Sequence, residues 1–271
     1  MIGVELRKLF RRPRTWLTIV LLDALPTLVA VLLAITHVGP RPGQGPAFLS
    51  AVLSNGSLFS VAALAIVLPL FLPIAVAVVA GDSVAGEAAG GTLRYLLVRP
   101  VGRTRLLVAK LAAVFVFVGV AVVVVAGTGY LVGRLLLGNQ PLGASVSSVS
   151  GSALTPGQLA WRVVFAICYV AFSMLGVAAI ALFLSTVTDS GLAASLGALA
   201  ALIGSSVLLT LDAARSLQPY LPTRYWLSFI DLFRDPILWR NVERGVALQA
   251  VYVAVFLAAA WANFTTKDVT S

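Results

Sequence analysis

The chain has 271 residues, of which 60% are hydrophobic and only 11% charged, and its mean hydropathy is +1.01. Soluble domains carry about 25% charged residues, so this composition excludes a soluble enzyme, a disordered chain and a nucleic-acid-binding domain despite a net charge of +9. The single cysteine, Cys168, has no second cysteine for an internal disulfide, and what remains is a multispanning membrane protein.

The first 14 residues predict an amphipathic helix that lies in the headgroup layer of a membrane. Its apolar residues follow helical spacing, and the opposite face carries the four basic residues Arg7, Lys8, Arg11 and Arg12. The apolar stretch that follows is longer than that of a cleaved signal peptide, so we expect an uncleaved first span. An alternative interpretation is that these basic residues only set the topology, and the two roles are compatible.

Six apolar stretches are long enough to cross a membrane, and together they predict one transmembrane domain over 1–271. A spanning helix needs about 20 apolar residues, and the stretches lack the alternation of barrel strands. We therefore predict an all-α polytopic membrane protein with spans at about 16–37, 57–80, 106–137, 160–184, 190–211 and 245–264. Pro69 and Pro73 predict a broken helix in the second span, because proline lacks the N–H that a helix needs.

The distribution of basic residues predicts that both termini are cytoplasmic and that the chain is a multi-pass protein of the inner (plasma) membrane. Five basic residues precede the first span and five lie between the second and third spans, whereas the connection between the third and fourth spans has none. The segment 212–244 is then external, although it holds five basic residues. Four acidic residues nearly balance them, so this segment weakens the evidence for the predicted orientation without reversing the prediction.

Residues 81–105 form the charged connection between the second and third spans. Thr92 is a candidate helix cap, and the leucines behind it predict a short amphipathic helix across the membrane surface. Pro100 then interrupts that helix before the third span. We expect Arg103, Arg105 and Lys110 to lie where positive side chains meet anionic headgroups.

The motif in this connection resembles that of the ABC-2 type permeases, the membrane subunits of ATP-binding-cassette exporters. The matching residues are Gly86-Glu87, Gly91-Thr92-Leu93, a leucine pair, Arg99-Pro100-Val101 and Arg103. The six spans, the basic N-terminal helix and the long external connection before the last span resemble the same family. The resemblance implies that 81–105 is a cytoplasmic coupling segment that docks on an ATPase subunit. It makes coupling candidates of Asp82, Glu87, Thr92, Arg94, Arg99 and Arg103.

The plain alternative for the charges of 81–105 is that they are solvated and only mark the edge of the membrane. The resemblance also implies a function for the chain. The chain would be one of two permeases, paired with a second copy or a paralogue, and would export a hydrophobic or amphipathic drug, lipid or peptide. Because the sequence has no GxxxxGK[ST] motif, we expect ATP and Mg to bind a separate ABC ATPase and this chain to bind no cofactor. Membrane lipids are expected partners, nucleic acids are not, and Glu87 is expected to pair with Arg94 or with an arginine of the ATPase.

Four residues within the spans are candidates for the pathway or for the contact between permeases. Asp23 is the acid inside the first span, where it either lines the pathway or pairs with a basic residue such as Arg14. Gly191, Ser195 and Ala198 share one small-residue face, which serves either packing within the chain or a subunit interface.

The external stretch 223–241 predicts an interfacial helix with an aromatic face that begins at Trp226. We expect it to be an anchor, with a gate over the exit as the alternative. Asp235-Pro236 predicts that the last helix starts near 236.

Competing functions remain open on the sequence. An ion-coupled secondary transporter commonly shows internal repeats and several intramembrane ionisable residues, whereas we find no repeat between the halves and one acid. An intramembrane enzyme is disfavoured because no nucleophile–base pair is visible. A non-transporting membrane anchor or immunity subunit is a further alternative.

Overall fold

The computed structural model describes residues 2–37, 52, 55–91, 102–138, 146–150 and 152–266. This part of the chain is almost entirely helical, with one antiparallel pair of two-residue strands, β1 (Val146–Ser147) and β2 (Ala153–Leu154). The helices in chain order are α1 (Ile2–Arg11), α2 (Pro13–Thr36), α3 (Phe59–Val67), α4 (Phe71–Gly81), α5 (Ala85–Ala89), α6 (Arg103–Leu136), α7 (Pro156–Val187), α8 (Gly191–Leu208) and α9 (Trp239–Thr266). Short 3-10 helices cover Gly56–Leu58, Asp212–Ala214, Gln218–Tyr220 and Trp226–Phe233.

The predicted all-α polytopic fold is confirmed. Five helices are long and apolar enough to cross a membrane, namely α2, α6, α7, α8 and α9. The bent pair Gly56–Val67 and Phe71–Gly81, whose halves meet at 59°, makes a sixth if it is counted as one span. These elements overlap all six predicted spans, and most of them extend a few residues further.

The break in the second span lies where the prolines predict it. Residues 68–70 form a turn, and Pro69 in that turn has no N–H to offer the carbonyl of Ala65. Pro73 sits in the first turn of α4, where a missing N–H is tolerated. The helix therefore stops at Val67 and restarts at Phe71, with apolar residues on both sides of the break.

The core of the bundle is built around α7, which packs against α4, α6, α8 and α9. The broken second span is enclosed, and most side chains of α3 are fully buried. Backbones approach closely enough to require glycine at Gly133, where an added Cβ would lie 2.1 Å from the carbonyl oxygen of Gly56. A Cβ on Gly81 would likewise lie 2.4 Å from Ser195 Oγ, so α4 and α8 are in direct contact.

The two ends of the bundle differ in chemistry. We call the end with α1, the turn 82–84 and α5 the α1 end, and the other the opposite end. At the opposite end the strand pair and the 3-10 helices cover the bundle, and Val149 N–H donates to the carbonyl of Phe233 at 3.0 Å.

The aromatic segment at the opposite end corrects one prediction. It is a 3-10 helix, and its residues Trp226, Phe229 and Phe233 are 4%, 0% and 1% exposed. A 3-10 helix repeats every three residues, so Trp226, Phe229 and the buried Leu232 form one row, with Phe233 beside it. The segment packs against α7 and α9. The aromatic face therefore lies in the protein core rather than among the headgroups, because the same spacing serves either surroundings.

The start of the last helix is a second correction. α9 begins at Trp239, three residues later than predicted. Asp235 is held by the strand-pair loop instead of capping a helix: its carboxylate accepts from Ser152 Oγ at 3.0 Å, and its N–H donates to Ser150 Oγ at 3.0 Å.

Candidate functional site

A cluster of charges around one buried ion pair lies at the α1 end. We define the ion cluster as Glu5 and Lys8 of α1, Glu87 of α5 and Lys110 of α6. The side chains of Glu87 and Lys110 are only 4% and 1% exposed. Lys110 Nζ donates to Glu87 Oε2 at 2.5 Å, and Lys8 Nζ donates to the other carboxylate oxygen. A buried carboxylate is tolerated because both of its oxygens have a cationic donor.

The cluster fixes α1 to the rest of the bundle. Glu5, Lys8 and Arg12 are three and four residues apart, so they follow one another along the same side of the N-terminal segment. Glu5 lies 3.8 Å from Lys110 Nζ, and Arg12 forms a half-exposed ion pair with Asp82 at 3.1 Å. The N-terminal helix is therefore tied to the turn 82–84, to α5 and to α6 by charged contacts.

The turn 82–84 between α4 and α5 is held by two further helices. Ser185 of α7 accepts the N–H groups of Val84 at 3.1 Å and Ala85 at 2.9 Å, and donates to the carbonyl of Gly81 at 2.6 Å. Lys110 donates to the carbonyl of Ser83 at 2.6 Å. Because no side chain of its own caps α5, the serine supplies the missing acceptor from another helix. A displacement of this turn would therefore disturb its contacts with α4, α6 and α7.

The electrostatics of the cluster favour the ionised form of Glu87. Burial alone would raise the pKa of this carboxyl, but the ammonium groups of Lys110 and Lys8 oppose that effect more strongly, so the pKa lies below its ordinary value. Glu87 is therefore a carboxylate at neutral pH. Its charge is compensated by lysines of the same chain. Glu87 therefore differs from an exposed carboxylate that would gain a counter-ion only when a partner protein binds.

The structure brings together some of the predicted coupling residues. Asp82 and Glu87 both contact α1, as described. Arg103 lies at the start of α6, where its Nη1 donates to the carbonyl oxygen of Thr265 at 3.0 Å, at the end of α9. Cationic side chains are favourable at helix C-termini, so this contact ties the last span to the same end. Three further candidates, Thr92, Arg94 and Arg99, lie outside the described residues.

The structure bears on two sequence-based expectations about charge partners. Among the described residues, Lys8 and Lys110 are counter-ions of Glu87. Arg94 lies outside the described residues, so the expected pairing with Arg94 or with an arginine of the ATPase stays a prediction. The basic residues of α1 also divide into two sets. Lys8 and Arg12 pair with acids of the bundle, and Arg7 and Arg11 are exposed. Two of the four basic residues therefore also form contacts inside the protein, and the role of this helix at the membrane interface stays a prediction.

Sequence reasoning missed Lys110, Glu5 and Ser185. Lys110 was expected at the headgroups, although it lies in an apolar stretch on the second turn of α6, where a charge needs a buried partner. Glu5 is the one acid in a strongly basic segment, a second signal that could have located the pair. Ser185 carries no comparable signal, because a serine near a helix end is common.

The candidates within the spans serve packing in this chain. Asp23 Oδ1 accepts a hydrogen bond from Thr128 Oγ1 of α6 at 2.5 Å. Asp23 therefore has a partner within the chain, as one of the two interpretations expected, but this partner is Thr128 rather than Arg14. Ser195 and Ala198 are 5% and 0% exposed against α4. Gly191 lies beside Asp82, where a Cβ would come within 2.8 Å of the carboxylate. These contacts favour packing within the chain for this face, and its role in a contact with a second permease stays a prediction.

A cavity opens at the break of the second span. Its volume is about 390 Å³, and its lining residues belong to the start of α4, to α8 and to the aromatic segment. Leu70 and Pro73 form one wall, Ile203 and Val207 the facing wall, and Trp226 belongs to the same lining. None of the described residues that line it is charged, so the cavity fits an apolar or amphipathic molecule better than an ion.

Two comparisons with known proteins complete the description. A family model described as "ABC-2 family transporter protein" matches residues 1–204, which include the whole ion cluster, both halves of the second span and most of α8. The comparison with curated proteins gives no match.

Proposed function

The chain belongs to the ABC-2 family of transporter membrane proteins, and from this premise we propose that it is the permease subunit of an ATP-binding-cassette exporter. With a second copy or a paralogue it forms the pathway for a hydrophobic or amphipathic drug, lipid or peptide. A separate ABC ATPase binds ATP and Mg and docks on the α1 end, which faces the cytoplasm. The membrane is the cell's inner (plasma) membrane.

The ion cluster is the observation that carries this proposal. An ATPase that pushes on 81–105 must move spans that lie beyond the segment it touches. A buried charge that loses its partner is strongly destabilising, since its removal from water is no longer compensated. Glu87 and Lys110 are therefore expected to move together. Because α1, α5 and α6 all contribute to the cluster, the push is passed to the first three spans as one unit.

The second span supports the same mechanism. α4 leads from the turn 82–84 to the break at 68–70, and the cavity lies at that break. A tilt of α4 at the α1 end therefore changes the wall of the cavity about 11 residues away, roughly 16 Å along the helix. The break permits this tilt without a matching movement of α3, which is buried on nearly all sides.

The experiment that tests the proposal is purification of the chain from its own host membranes in a mild detergent. We expect an ABC ATPase to copurify and its ATP hydrolysis to respond to amphipathic compounds. Glu87→Gln should lower that response several-fold while the subunits remain associated, and Glu243→Gln, an exposed acid near the opposite end, is the matched control. Transport by the chain alone in liposomes, driven by an ion gradient, would overturn the proposal in favour of a secondary transporter. A complex without any response would favour a non-transporting anchor.

A further inference from the structure

We propose that α7 and α9 form one strut that carries a movement of the coupling segment 81–105 to the external segment 220–226, with Asn263 and Gln249 as its positioning residues. This role rests on the proposed permease function and goes beyond it, since the push described above reaches the first three spans. The strut contacts the coupling segment at one end and the external segment at the other, and its two helices are closely packed between them.

The first end of the coupling segment, the turn 82–84, is held by α7. Ser185 Oγ accepts two backbone N–H groups there and donates to the carbonyl of Gly81. The next residue, Thr186, is bonded to α9, because Asn263 Nδ2 donates to its carbonyl at 2.9 Å and to its Oγ1 at 3.2 Å. Two successive residues of α7 therefore join the turn to the end of the last span.

The second end of the coupling segment, at the start of α6, is held by α9. Arg103 Nη1 donates to the carbonyl of Thr265 at 3.0 Å, and Trp261 Nε1 donates to Thr104 Oγ1 at 2.9 Å. These contacts and that of Asn263 all lie in the last two turns of α9. A movement of the coupling segment therefore acts on the same end of α9 through two separate sets of hydrogen bonds.

Between their ends, α7 and α9 pack too closely to move separately. A Cβ added to Gly176 of α7 would overlap Gln249 Oε1, and one added to Gly245 of α9 would overlap Tyr169 Oη. The side chains of Gln249 and Tyr169 are both buried. An interior with so little free space transmits a displacement instead of absorbing it. The two helices are therefore expected to shift as one body.

The strut holds three backbone carbonyl groups of the external segment. The donors are side chains of α7 and α9, and the pairs are Gln249 Nε2 with Pro222 at 2.7 Å, Tyr252 Oη with Tyr220 at 2.9 Å and Tyr169 Oη with Tyr225 at 2.6 Å. The bond to Pro222 is buried, so loss of its donor would leave a buried acceptor without a partner. Trp226 directly follows this stretch and belongs to the lining of the cavity. A shift of the strut therefore moves part of that lining.

The cavity is thus reached from the α1 end along two routes, one through α4 to Leu70 and Pro73 and the other through the strut to Trp226. Asn263 lies 14 residues after Gln249, about 21 Å along α9. Neither of the two is among the residues that line the cavity. Any effect of these two side chains on the cavity must therefore pass through the packing of α7 and α9.

The test uses the complex of the full chain with the ABC ATPase in nanodiscs. In a Cys168→Ser background, Val207→Cys places one thiol in the cavity lining, at a position that is about half exposed. The rate at which a maleimide modifies this chain is compared between nucleotide-free complexes and complexes trapped with ATP, Mg and vanadate. We expect the rate to change several-fold, because the lining moves.

Two variants at separate contacts of the strut should reduce this change. Asn263→Leu removes the bonds to Thr186, and Gln249→Met removes the bond to Pro222 at similar side-chain length. Each should lower the change in labelling rate at least about twofold and leave basal ATP hydrolysis unchanged, since hydrolysis takes place on the ATPase. Thr266→Val, whose hydroxyl is bonded within its own helix, and Val251→Met, on the exposed face of α9, are the matched controls.

A double variant separates transmission from local damage. Independent losses at sites this far apart usually add, whereas two breaks in one path do not. We therefore expect Asn263→Leu with Gln249→Met to lower the change no further than the stronger single variant. If Gln249→Met does not fold, Tyr252→Phe takes its place, because it removes only the hydroxyl that bonds to Tyr220. Additive losses, or controls that lose as much as the variants, would overturn the strut.

The permease function and the strut fail in different ways. If the ATPase copurifies and responds to amphipathic compounds, but the variants change the labelling rate as the wild type does, the permease function stands and the strut is wrong. A wild-type labelling rate that does not depend on nucleotide in such a complex also overturns the strut alone. If no ATPase copurifies, the permease function fails and the strut fails with it.

Discussion

Lys110 of α6 and Glu87 of α5 form an almost completely buried ion pair in which Nζ and Oε2 are 2.5 Å apart. Lys8 of α1 occupies the second oxygen of the same carboxylate. One glutamate therefore joins the N-terminal helix, the connection after the second span and the start of the third span. This contact makes the α1 end a single mechanical unit, and the predictions below follow from it and from the packing beside it.

Lys110→Met should be among the most destabilising single changes at the α1 end. It removes the more deeply buried of the two lysines that pair with the Glu87 carboxylate, and removal of one member of a buried pair costs about 3–5 kcal/mol. Arg12→Gln removes a pair whose side chains are 44% and 40% exposed, so its cost is about 0–1 kcal/mol. Thermal unfolding of both variants in detergent measures the difference, and equal losses would contradict the burial of the cluster.

The stability of the protein should fall in acid partly through Glu87. A carboxyl whose pKa is lower in the folded than in the unfolded protein stabilises the fold above its unfolded pKa of about 4.3. That contribution is lost as the pH falls through the folded pKa. We expect the wild type to unfold at a higher temperature than Glu87→Gln at pH 7, and this difference to shrink below about pH 4. A difference that stays constant from pH 7 to pH 3 would mean that the carboxylate is not stabilised by its lysines.

Gly81→Ala should destabilise the contact between α4 and α8. Its Cβ would lie 2.4 Å from Ser195 Oγ and 2.9 Å from the Ser195 nitrogen, and backbone has little room to give. Overpacking of this kind costs about 1–3 kcal/mol. Gly204→Ala is the matched control, because nothing lies within 4 Å of its Cβ and alanine is the better helix former. Equal thermal stability of the two variants would show that α4 and α8 are not packed this closely.

Asp23→Asn should leave the response of the ATPase to amphipathic compounds within about twofold of the wild type. The amide oxygen of asparagine accepts the same hydrogen bond from Thr128, and the described lining of the cavity does not include this residue. Asp23→Leu should lower stability by about 1–2 kcal/mol, since it removes the acceptor. A complete loss of the response with Asp23→Asn would show that the charge itself belongs to the pathway.

The sequence predicted the architecture because its signals are strong and local. Each predicted apolar stretch coincides with one of the five candidate spanning helices or with the bent pair α3 and α4, and two prolines located the break between α3 and α4. The spacing of similar residues along a helix did not reveal whether that face contacts lipid, a second subunit or the same chain. The aromatic face at Trp226 and the small-residue face at Ser195 both lie against protein, although lipid or a second subunit explains the same periodicity equally well.

The candidate site was predicted only in part, because its contacts join residues that are far apart in the chain. Glu87 was identified, but its partners lie 79 residues before it and 23 residues after it. Lys110 was assigned to the membrane surface from its place near the end of a span. A charge within an apolar turn, with an acid such as Glu5 in a basic segment, is the pattern that indicates a buried pair.

The most direct test of the account is a double-mutant cycle between α1 and α5, made with Lys8→Met and Glu87→Gln in the complex with the ABC ATPase. The measured quantity is the ratio of ATP hydrolysis with and without an amphipathic compound. Substitutions of residues in one ion-pair network do not have additive effects. We therefore predict that each variant lowers this ratio and that the double variant lowers it no further than Glu87→Gln alone. Losses that simply multiply would contradict a coupling path through this contact.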